Sequence, residues 1–385
     1  MNFDTNASFT LRWLLVMIAL LATLLVACLW WLARPSRARN EPMRAERMEP
    51  HRVMRPAASG RTGRWPGNAS HAPEPGGEEA SKMSESQLGV MEVLLRMRLG
   101  EHPKLTLEEV EAWLGKEGRS AANLLAAHRL LNDPALLEEA ARKFPNDARV
   151  QMDVLLKGLF PGDRQRWVEA FKRNAPANAL PNVLAAQEFF KAGMPERAAQ
   201  ELLMAARKPG MDTYLFDMQP ALQSAWTTSG YSQEAGQLMS TFGTQLPMIG
   251  ALQDVASRSA DWAAKLRESG NAASADAVTT AGIAMGQQLT ENGRTFIAEL
   301  VGMQIESKFL QQVSPEAPAA NDSTVAARLA QLQQQQEELI KLGKSFDDTT
   351  PLRVSDADIA AYFERLRREG EFSAMQWLQG RLDTK

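Results

Sequence analysis

The uncharged run from Trp13 to Ala33 constrains this chain more than any other stretch. Its residues include no charged side chain and no proline. Coiled as an α-helix at about 1.5 Å per residue, the run is about 30 Å long, which is the thickness of a bilayer's hydrocarbon core. A helix satisfies its own backbone hydrogen bonds, so it can lie in lipid without an open polar group. We therefore predict a membrane-spanning helix over residues 13–33.

The residues at the two ends of this run fit the same interpretation. Trp13 lies at one end, and Trp30 and Trp31 lie at the other. Indole rings prefer the headgroup region of a bilayer, and Arg12 and Arg34 close the run on either side. A buried core helix of this length would rarely be apolar on every face. These five residues are the predicted membrane anchor, and the lipid bilayer is the predicted partner of residues 13–33.

A second form of attachment competes with the retained span. The sequence from Leu25 to Cys28 resembles the lipobox of bacterial lipoproteins, whose cysteine is lipidated after cleavage, and Cys28 is the only cysteine of the chain. The residues after it, Leu29 to Leu32, remain apolar, and the region before the run carries Asp4 and a single Arg12. A signal peptide needs a positive start. The retained single span is favoured, and a lipid-anchored envelope lipoprotein of structural role, lipidated at Cys28, is the alternative.

The segment after the span is predicted to be a disordered linker. Residues 34–82 are rich in proline, arginine, serine and glycine, and they bury too little apolar surface to offset the entropy of ordering. From Arg34 to Trp65 there are nine arginines and three glutamates, a net charge of +6. By the positive-inside rule this places the C-terminal body on the cytoplasmic side of the membrane. The basic arm either attracts anionic lipid or serves only as a topology signal and spacer.

Composition excludes several classes of function. The 385 residues carry a formal net charge of −3, which argues against a nucleic-acid binder. Cysteine is absent after Cys28, so the body has no disulfide and no thiolate metal site.

None of the four histidines has a second ligand three or four residues away on a helix, and His128 is interpreted as a helix-face residue. The adjacent glutamates 108–109 and 138–139 are interpreted as residues of helix first turns. Phosphate loops and nucleophile elbows are absent, so we expect no cofactor, no metal and no enzymatic activity.

The remaining sequence predicts helices. A polar N-terminus covers residues 1–12, and a helical domain is predicted over 83–314. Thr106 and Glu109 form a predicted capping box, and Pro134 is suited to a first helical turn. No run alternates with a period of two long enough for a strand. The fold class predicted is all-α.

A spaced pattern repeats within the helical domain. An apolar residue is followed four positions later by glycine and five further on by alanine, and the glycines are 37 and 40 residues apart. Glycine permits a left-handed turn, and alanine allows close approach of the next helix. A period of this length indicates stacked helical hairpins. The three copies are Phe189, Gly193 and Ala198; Trp226, Gly230 and Ala235; and Leu266, Gly270 and Ala275.

Residues 182–209 are the clearest unit of this pattern. With Phe189, Gly193, Ala198 and Leu202, ending near Pro209, the unit resembles a tetratricopeptide repeat. The resemblance implies a superhelix of hairpins whose groove binds a peptide or a protein partner. Three tryptophans, at positions 167, 226 and 262, are candidate groove residues, although such positions are more typical of a hairpin core.

Two further elements are predicted near the C-terminus. Residues 325–346 form an amphipathic helix whose seam consists of Val325, Leu329, Leu332, Gln336 and Leu339. This seam either packs on the body or forms a short coiled coil, with self-association through residues 325–343. A last helical hairpin is predicted over 352–385, capped by Ser355 and Asp358. Together these features predict a single-pass membrane scaffold, non-enzymatic, that binds a protein partner.

Overall fold

The computed structural model describes the helical body of the chain. In the described ranges it contains fifteen α-helices and no β-strand, so the all-α prediction is confirmed for them. The described residues are 89–90, 92–93, 96, 101–242, 246–319, 323–348 and 354–383. The helices are α1 (Leu107–Glu117), α2 (Ala121–Leu131), α3 (Pro134–Lys143), α4 (Ala148–Lys157), α5 (Arg164–Asn174), α6 (Leu180–Lys191), α7 (Pro195–Ala206), α8 (Gln219–Thr228), α9 (Gln233–Phe242), α10 (Met248–Glu268), α11 (Ala272–Asn292), α12 (Phe296–Leu310), α13 (Val325–Asp348), α14 (Asp356–Glu369) and α15 (Glu371–Asp383).

The predicted anchor and linker lie outside the described residues. This applies to the span over 13–33 with its flanking tryptophans and arginines, to Cys28, and to residues 34–82. Among the helices of the described ranges, none combines the length and the apolar character that crossing a bilayer requires.

Side-chain caps begin several helices where the sequence predicts them. The Thr106 hydroxyl accepts a hydrogen bond of 3.2 Å from the backbone N–H of Glu109, whose carboxylate accepts one of 2.7 Å from the N–H of Thr106. Ser355 and Asp358 form the same reciprocal pair at the start of α14. Pro134 occupies the first turn of α3, after the cap Asp133. These local signals fix the starts of the helices because each cap satisfies backbone donors that have no partner within the helix.

The glycines of the repeat close three helices by the same hydrogen bonds. Gly193 has φ +71°, and its N–H donates to the carbonyl of Phe190, while the N–H of Met194 donates to the carbonyl of Phe189 at 2.8 Å. This paired arrangement is a Schellman motif, and Gly230 and Gly270 repeat it. The apolar residue four before each glycine is the residue whose carbonyl accepts the longer-range bond. At Gly230 that residue is Trp226, and its ring meets Tyr231 edge-on at 4.8 Å.

Two other glycines make a tighter turn. Gly118 and Gly370 have φ of +84° and +89° with ψ of 163° and 168°, a region open to glycine alone. After Gly370 the next helix begins at once, and the N–H of Ala374 donates to the carbonyl of Gly370. An alanine thus follows Gly370 after four residues, whereas it follows the glycines of the three repeat copies after five.

The hairpins do not pack in the order of the sequence. Helices α6 and α7 pack against α10 and α11, whereas α8 packs against α1 and α2, and α9 packs against α14. The indole N–H of Trp113 in α1 donates 3.1 Å to the hydroxyl of Ser224 in α8. One apolar cluster thus joins α1–α4, α8–α9 and α14–α15, and a second joins α4–α7 with α10–α12. The glycine-closed hairpins at 193, 230 and 270 alternate between these two clusters.

Glycines bring α11 and α12 into unusually close contact. A Cβ on Gly286 would lie 2.6 Å from the backbone nitrogen of Glu306 and 2.7 Å from the carbonyl oxygen of Gly302. Gly282 lies against the ring of Phe309 in the same way. Side chains at these positions would force the two backbones apart, so small residues set the spacing of this helix pair.

Helix α13 packs on α12 through its predicted seam. Val325, Leu332 and Leu339 are buried and form a third cluster with α12 residues such as Met303. Glu306 on α12 is 1% exposed, and Arg328 on α13 reaches both of its oxygens, at 2.8 and 2.9 Å. The seam is therefore used within the chain, and the glutamines at 333–335 face outward.

Candidate functional site

The residues predicted for the repeat turns are structural in character. The glycines Gly193, Gly230 and Gly270 all have positive φ and close helices. The alanines that follow them are fully buried in the helix packing, so none of their methyl groups is open to a ligand; they are Ala198, Ala235 and Ala275. These six positions set the geometry of the hairpins and form no binding site.

The titratable groups noted in the sequence are held in structural contacts. His128 lies on a face of α2, as predicted, and this face is buried: the residue is 3% exposed, its Nδ1 lies 2.8 Å from the carbonyl of Asp133, and burial lowers its pKa. Glu139 lies outside the first turn of α3, contrary to prediction. Hydrogen bonds from Arg119 lower the pKa of Glu139 to about 2. The described ranges contain no group of three or more His, Cys, Asp or Glu side chains placed to hold a metal ion.

An open groove runs between α3 and α5. Helix α4 packs against both helices, and the groove opens where they face each other. Its volume is about 270 Å³. The groove residues are Ala141, Arg142, Pro145, Asn146, Phe160, Asp163, Arg166, Trp167, Ala170 and Arg173. We call this surface the arginine groove.

Positive charge dominates the arginine groove. Arg166 and Arg173 are exposed, and neither guanidinium has a hydrogen-bond or ion-pair partner among the described residues. Arg142, on the opposite wall, is 3.8 Å from Glu138, and both of these side chains are largely exposed, which makes the pair weak. Asp163 is the single acidic residue of the lining. The groove therefore presents three cations and one anion to solvent.

Two stacked aromatic rings form the end of the groove at the α4–α5 connection. The rings of Phe160 and Trp167 lie 6.0 Å apart with 14° between their planes, and both side chains are half-buried. Phe160 has φ +55° and ψ +61°, a left-handed conformation that is costly for an aromatic residue. Phe160 lies in the connection between α4 and α5, and its ring stacks on that of Trp167. Trp226 is buried in the core, as the sequence favours, whereas Trp167 lines the groove.

A second cavity, of about 370 Å³, lies between the loops that follow α5 and α7. Asn178 occupies its floor: its side-chain N–H donates 2.8 Å to the carbonyl of Asp212, and its oxygen accepts from the N–H groups of Leu180 and Asp212. Tyr214 borders the same cavity, and burial raises the pKa of its hydroxyl. Since the amide of Asn178 is already engaged, this cavity has fewer free groups for a ligand than the arginine groove.

A pair of carboxylates lies where α12 meets the last hairpin. Burial, and then repulsion by Glu371, raises the pKa of Glu299 to about 7. Burial also raises the pKa of Glu371, although the backbone N–H of Phe296 donates 2.7 Å to it and opposes that shift. Tyr362 is 9% exposed, and burial and the charge of Glu371 raise its pKa. These groups lie on three helices, α12, α14 and α15, and none of them lines either of the two cavities described above.

The sequence contains one signal for the arginine groove. Arg166, Ala170 and Arg173 are spaced i, i+4 and i+7, which places them on one face of α5. The same spacing is common on solvated helix faces, and the opposite wall comes from α3, so the pattern alone does not identify a groove. Comparison of this chain with protein-family models, with curated proteins and with solved structures finds no match.

Proposed function

We propose that this protein is a non-enzymatic scaffold, tethered to a membrane by residues 13–33, whose helical hairpins bind a protein partner. The observation that carries the proposal is the arginine groove, with exposed cations beside a pair of stacked aromatic rings. Arginine and tryptophan are enriched at sites that carry binding energy between proteins. The resemblance of residues 182–209 to a tetratricopeptide repeat supports the same class of function.

The tether is tested on the full-length chain in cell membranes. Alkaline carbonate strips peripheral proteins and leaves spanning ones in the pellet, so we expect the chain in the pellet. Protease added to intact and to permeabilised cells then shows on which side of the membrane the helical body lies. The positive-inside rule predicts the cytoplasmic side. Release of the intact chain by carbonate would refute the retained span.

The partner is tested by photo-crosslinking from two exposed positions. Asn146 lines the arginine groove, and Gln334 lies on the exposed face of α13. A crosslinker at Asn146 should give one discrete product in membranes, whereas the same group at Gln334 should not give it. Identical products from both positions would contradict a partner at the groove.

The lipid-anchored envelope lipoprotein is the second candidate, and the four residues ending at Cys28 favour it. It requires cleavage before Cys28 and acylation of its sulfur. Metabolic labelling with an acyl chain that is lost in Cys28→Ser, together with a shortened N-terminus by mass, would support it. An intact mass that retains the span would eliminate it.

A further inference from the structure

We propose that the arginine groove binds an extended acidic segment of the partner, in which two carboxylates three residues apart reach Arg166 and Arg173. This inference rests on the proposed function and adds the chemistry of the partner. The occupant follows from three features of the groove: the spacing of its free cations, the sign of its charge and the position of its aromatic rings.

The spacing of the two arginines selects the register of the ligand. Arg166 and Arg173 are seven residues apart on α5, about 10.5 Å along its axis at 1.5 Å per residue. A chain in the polyproline II conformation rises about 3.1 Å per residue with three residues per turn, so residues i and i+3 share a face about 9 Å apart. Two glutamates at that interval approach the separation of the two arginines along the helix axis.

Charge and hydrogen bonding favour carboxylates over neutral side chains. The guanidinium groups of Arg166 and Arg173 have no partner among the described residues, so an incoming carboxylate need not displace an existing ion pair. Arginine presents a planar fork that matches a carboxylate with two parallel hydrogen bonds. Arg142 faces the same space from α3 and adds a third cation on the far side of the bound segment.

The aromatic end of the groove supplies an apolar contact. Trp167 follows Arg166 on α5, and its ring is stacked on Phe160. Ala170, between the two arginines, leaves room for a backbone to lie against the helix. Proline-containing extended segments bind aromatic grooves because their conformation is already ordered. The expected ligand is therefore acidic, extended and proline-containing, with an apolar residue on Trp167.

The test is fluorescence anisotropy with the full-length chain in mild detergent. The probe is the labelled peptide Gly-Pro-Glu-Pro-Leu-Glu-Pro-Gly, whose glutamates are three residues apart. We expect saturable binding, and we expect Arg166→Gln together with Arg173→Gln to weaken it about tenfold or more, since two charge-assisted contacts are lost. Both side chains are exposed and unpaired within the described residues, so thermal unfolding of this variant should match that of the wild type.

Matched controls separate this site from general attraction between charges. Arg207 and Arg368 are also exposed arginines with no partner in the described part of the chain, and replacing both by glutamine should leave binding unchanged. A peptide with glutamine in place of glutamate should not bind. The same eight residues with adjacent glutamates should bind more weakly. Equal losses in the two double variants, or equal binding of the glutamine peptide, would overturn the proposal.

Two outcomes distinguish this inference from the scaffold itself. The peptide is tested up to about 1 mM, a dissociation constant that corresponds to about 4 kcal/mol of binding free energy. If it does not bind at that concentration while the Asn146 crosslink persists, the proposed acidic ligand is wrong and the scaffold proposal stands. If the crosslink is also absent, both fail. Displacement of the peptide by a single-stranded oligonucleotide would assign the groove to nucleic acid and would likewise overturn the proposal.

Discussion

The carboxylate of Glu371 accepts a hydrogen bond of 2.7 Å from the backbone N–H of Phe296, 75 residues earlier in the chain. A second hydrogen bond joins the same two segments: the N–H of Glu371 donates 2.9 Å to the carbonyl of Arg294. A side chain at the start of α15 thus satisfies a free donor at the start of α12. These hydrogen bonds connect the C-terminal hairpin to the start of α12, the helix on which α13 also packs.

Stability near this junction should depend on pH through Glu299. Its pKa in the folded chain, about 7, exceeds the ordinary value of 4.5, so the folded state binds the proton more tightly. The free energy of unfolding therefore falls as pH rises from 4.5 to about 7. Glu299→Gln should reduce this slope by the part that Glu299 contributes and stabilise the chain at pH 8 by about 1 kcal/mol, a figure reduced for partial exposure. Denaturant unfolding at pH 5 and pH 8 measures both effects.

The control for that experiment is Glu291→Gln, at an exposed position of α11. It should leave the pH slope as it is in the wild type. A wild-type chain that becomes more stable between pH 5 and pH 8, and a Glu299→Gln variant that follows it, would contradict the proposed proton linkage.

Gly286→Ala should destabilise the body. The new Cβ would lie 2.6 Å and 2.7 Å from backbone atoms of α12, which cannot move independently of their helix. We expect a loss of about 2–3 kcal/mol, as for overpacked cores. Gly250→Ala in α10 is the matched control, since nothing lies within 4 Å of its added Cβ. That helical replacement should stabilise by about 0.5–1 kcal/mol. Equal effects in thermal unfolding would refute the close approach of α11 and α12.

Gly193→Ala should cost stability although its Cβ meets no atom within 4 Å. The cost comes from φ +71°, which an L-residue adopts at a penalty of about 1 kcal/mol or somewhat more. Gly115→Ala, within α1, lacks both the positive φ and any close neighbour and should be stabilising. Urea unfolding of the two variants isolates the conformational cost, because neither added Cβ meets an atom within 4 Å. A neutral Gly193→Ala would mean that the Schellman turn is dispensable.

Arg328→Met should weaken the packing of α13 on α12. It leaves the carboxylate of Glu306, which is 1% exposed, without its cation. Breaking a buried pair from one side costs about 3–5 kcal/mol. Adding Glu306→Gln to the same chain should recover part of this loss, because the amide carries no charge. If the double variant is less stable than Arg328→Met alone, the buried charge is not the source of the loss.

Local features of this fold were predictable from the sequence. The capping pairs at Thr106 and Ser355, the proline start of α3 and the glycine turns each depend on residues within five positions of one another. Such short-range hydrogen bonds are determined by residue type and spacing. The helix expected over 325–346 from the spacing of its apolar seam is found at Val325–Asp348.

Contacts between distant segments were not predictable in this way. Nothing in the pattern around Gly230 and Ala235 indicates that α8 packs on α2 and not on the preceding hairpin. The arginine groove likewise needs a wall from α3 and another from α5, and the i, i+7 arginines describe only one of them. A helical period fixes which face is buried, but it does not specify the helix that covers it.

The alternation of hairpins between two clusters has a consequence during synthesis. The first cluster needs α1 and α2, then α8 and α9, and finally α14 and α15, which are synthesised well after the first two helices. Trp113 and its neighbours emerge early, with apolar surface that their own hairpin does not fully cover. Since nascent chains grow at about 5–20 residues per second, this surface stays incomplete for about ten seconds or more. A chaperone that shields the early helices should therefore raise the yield of folded protein more than one acting on the finished chain.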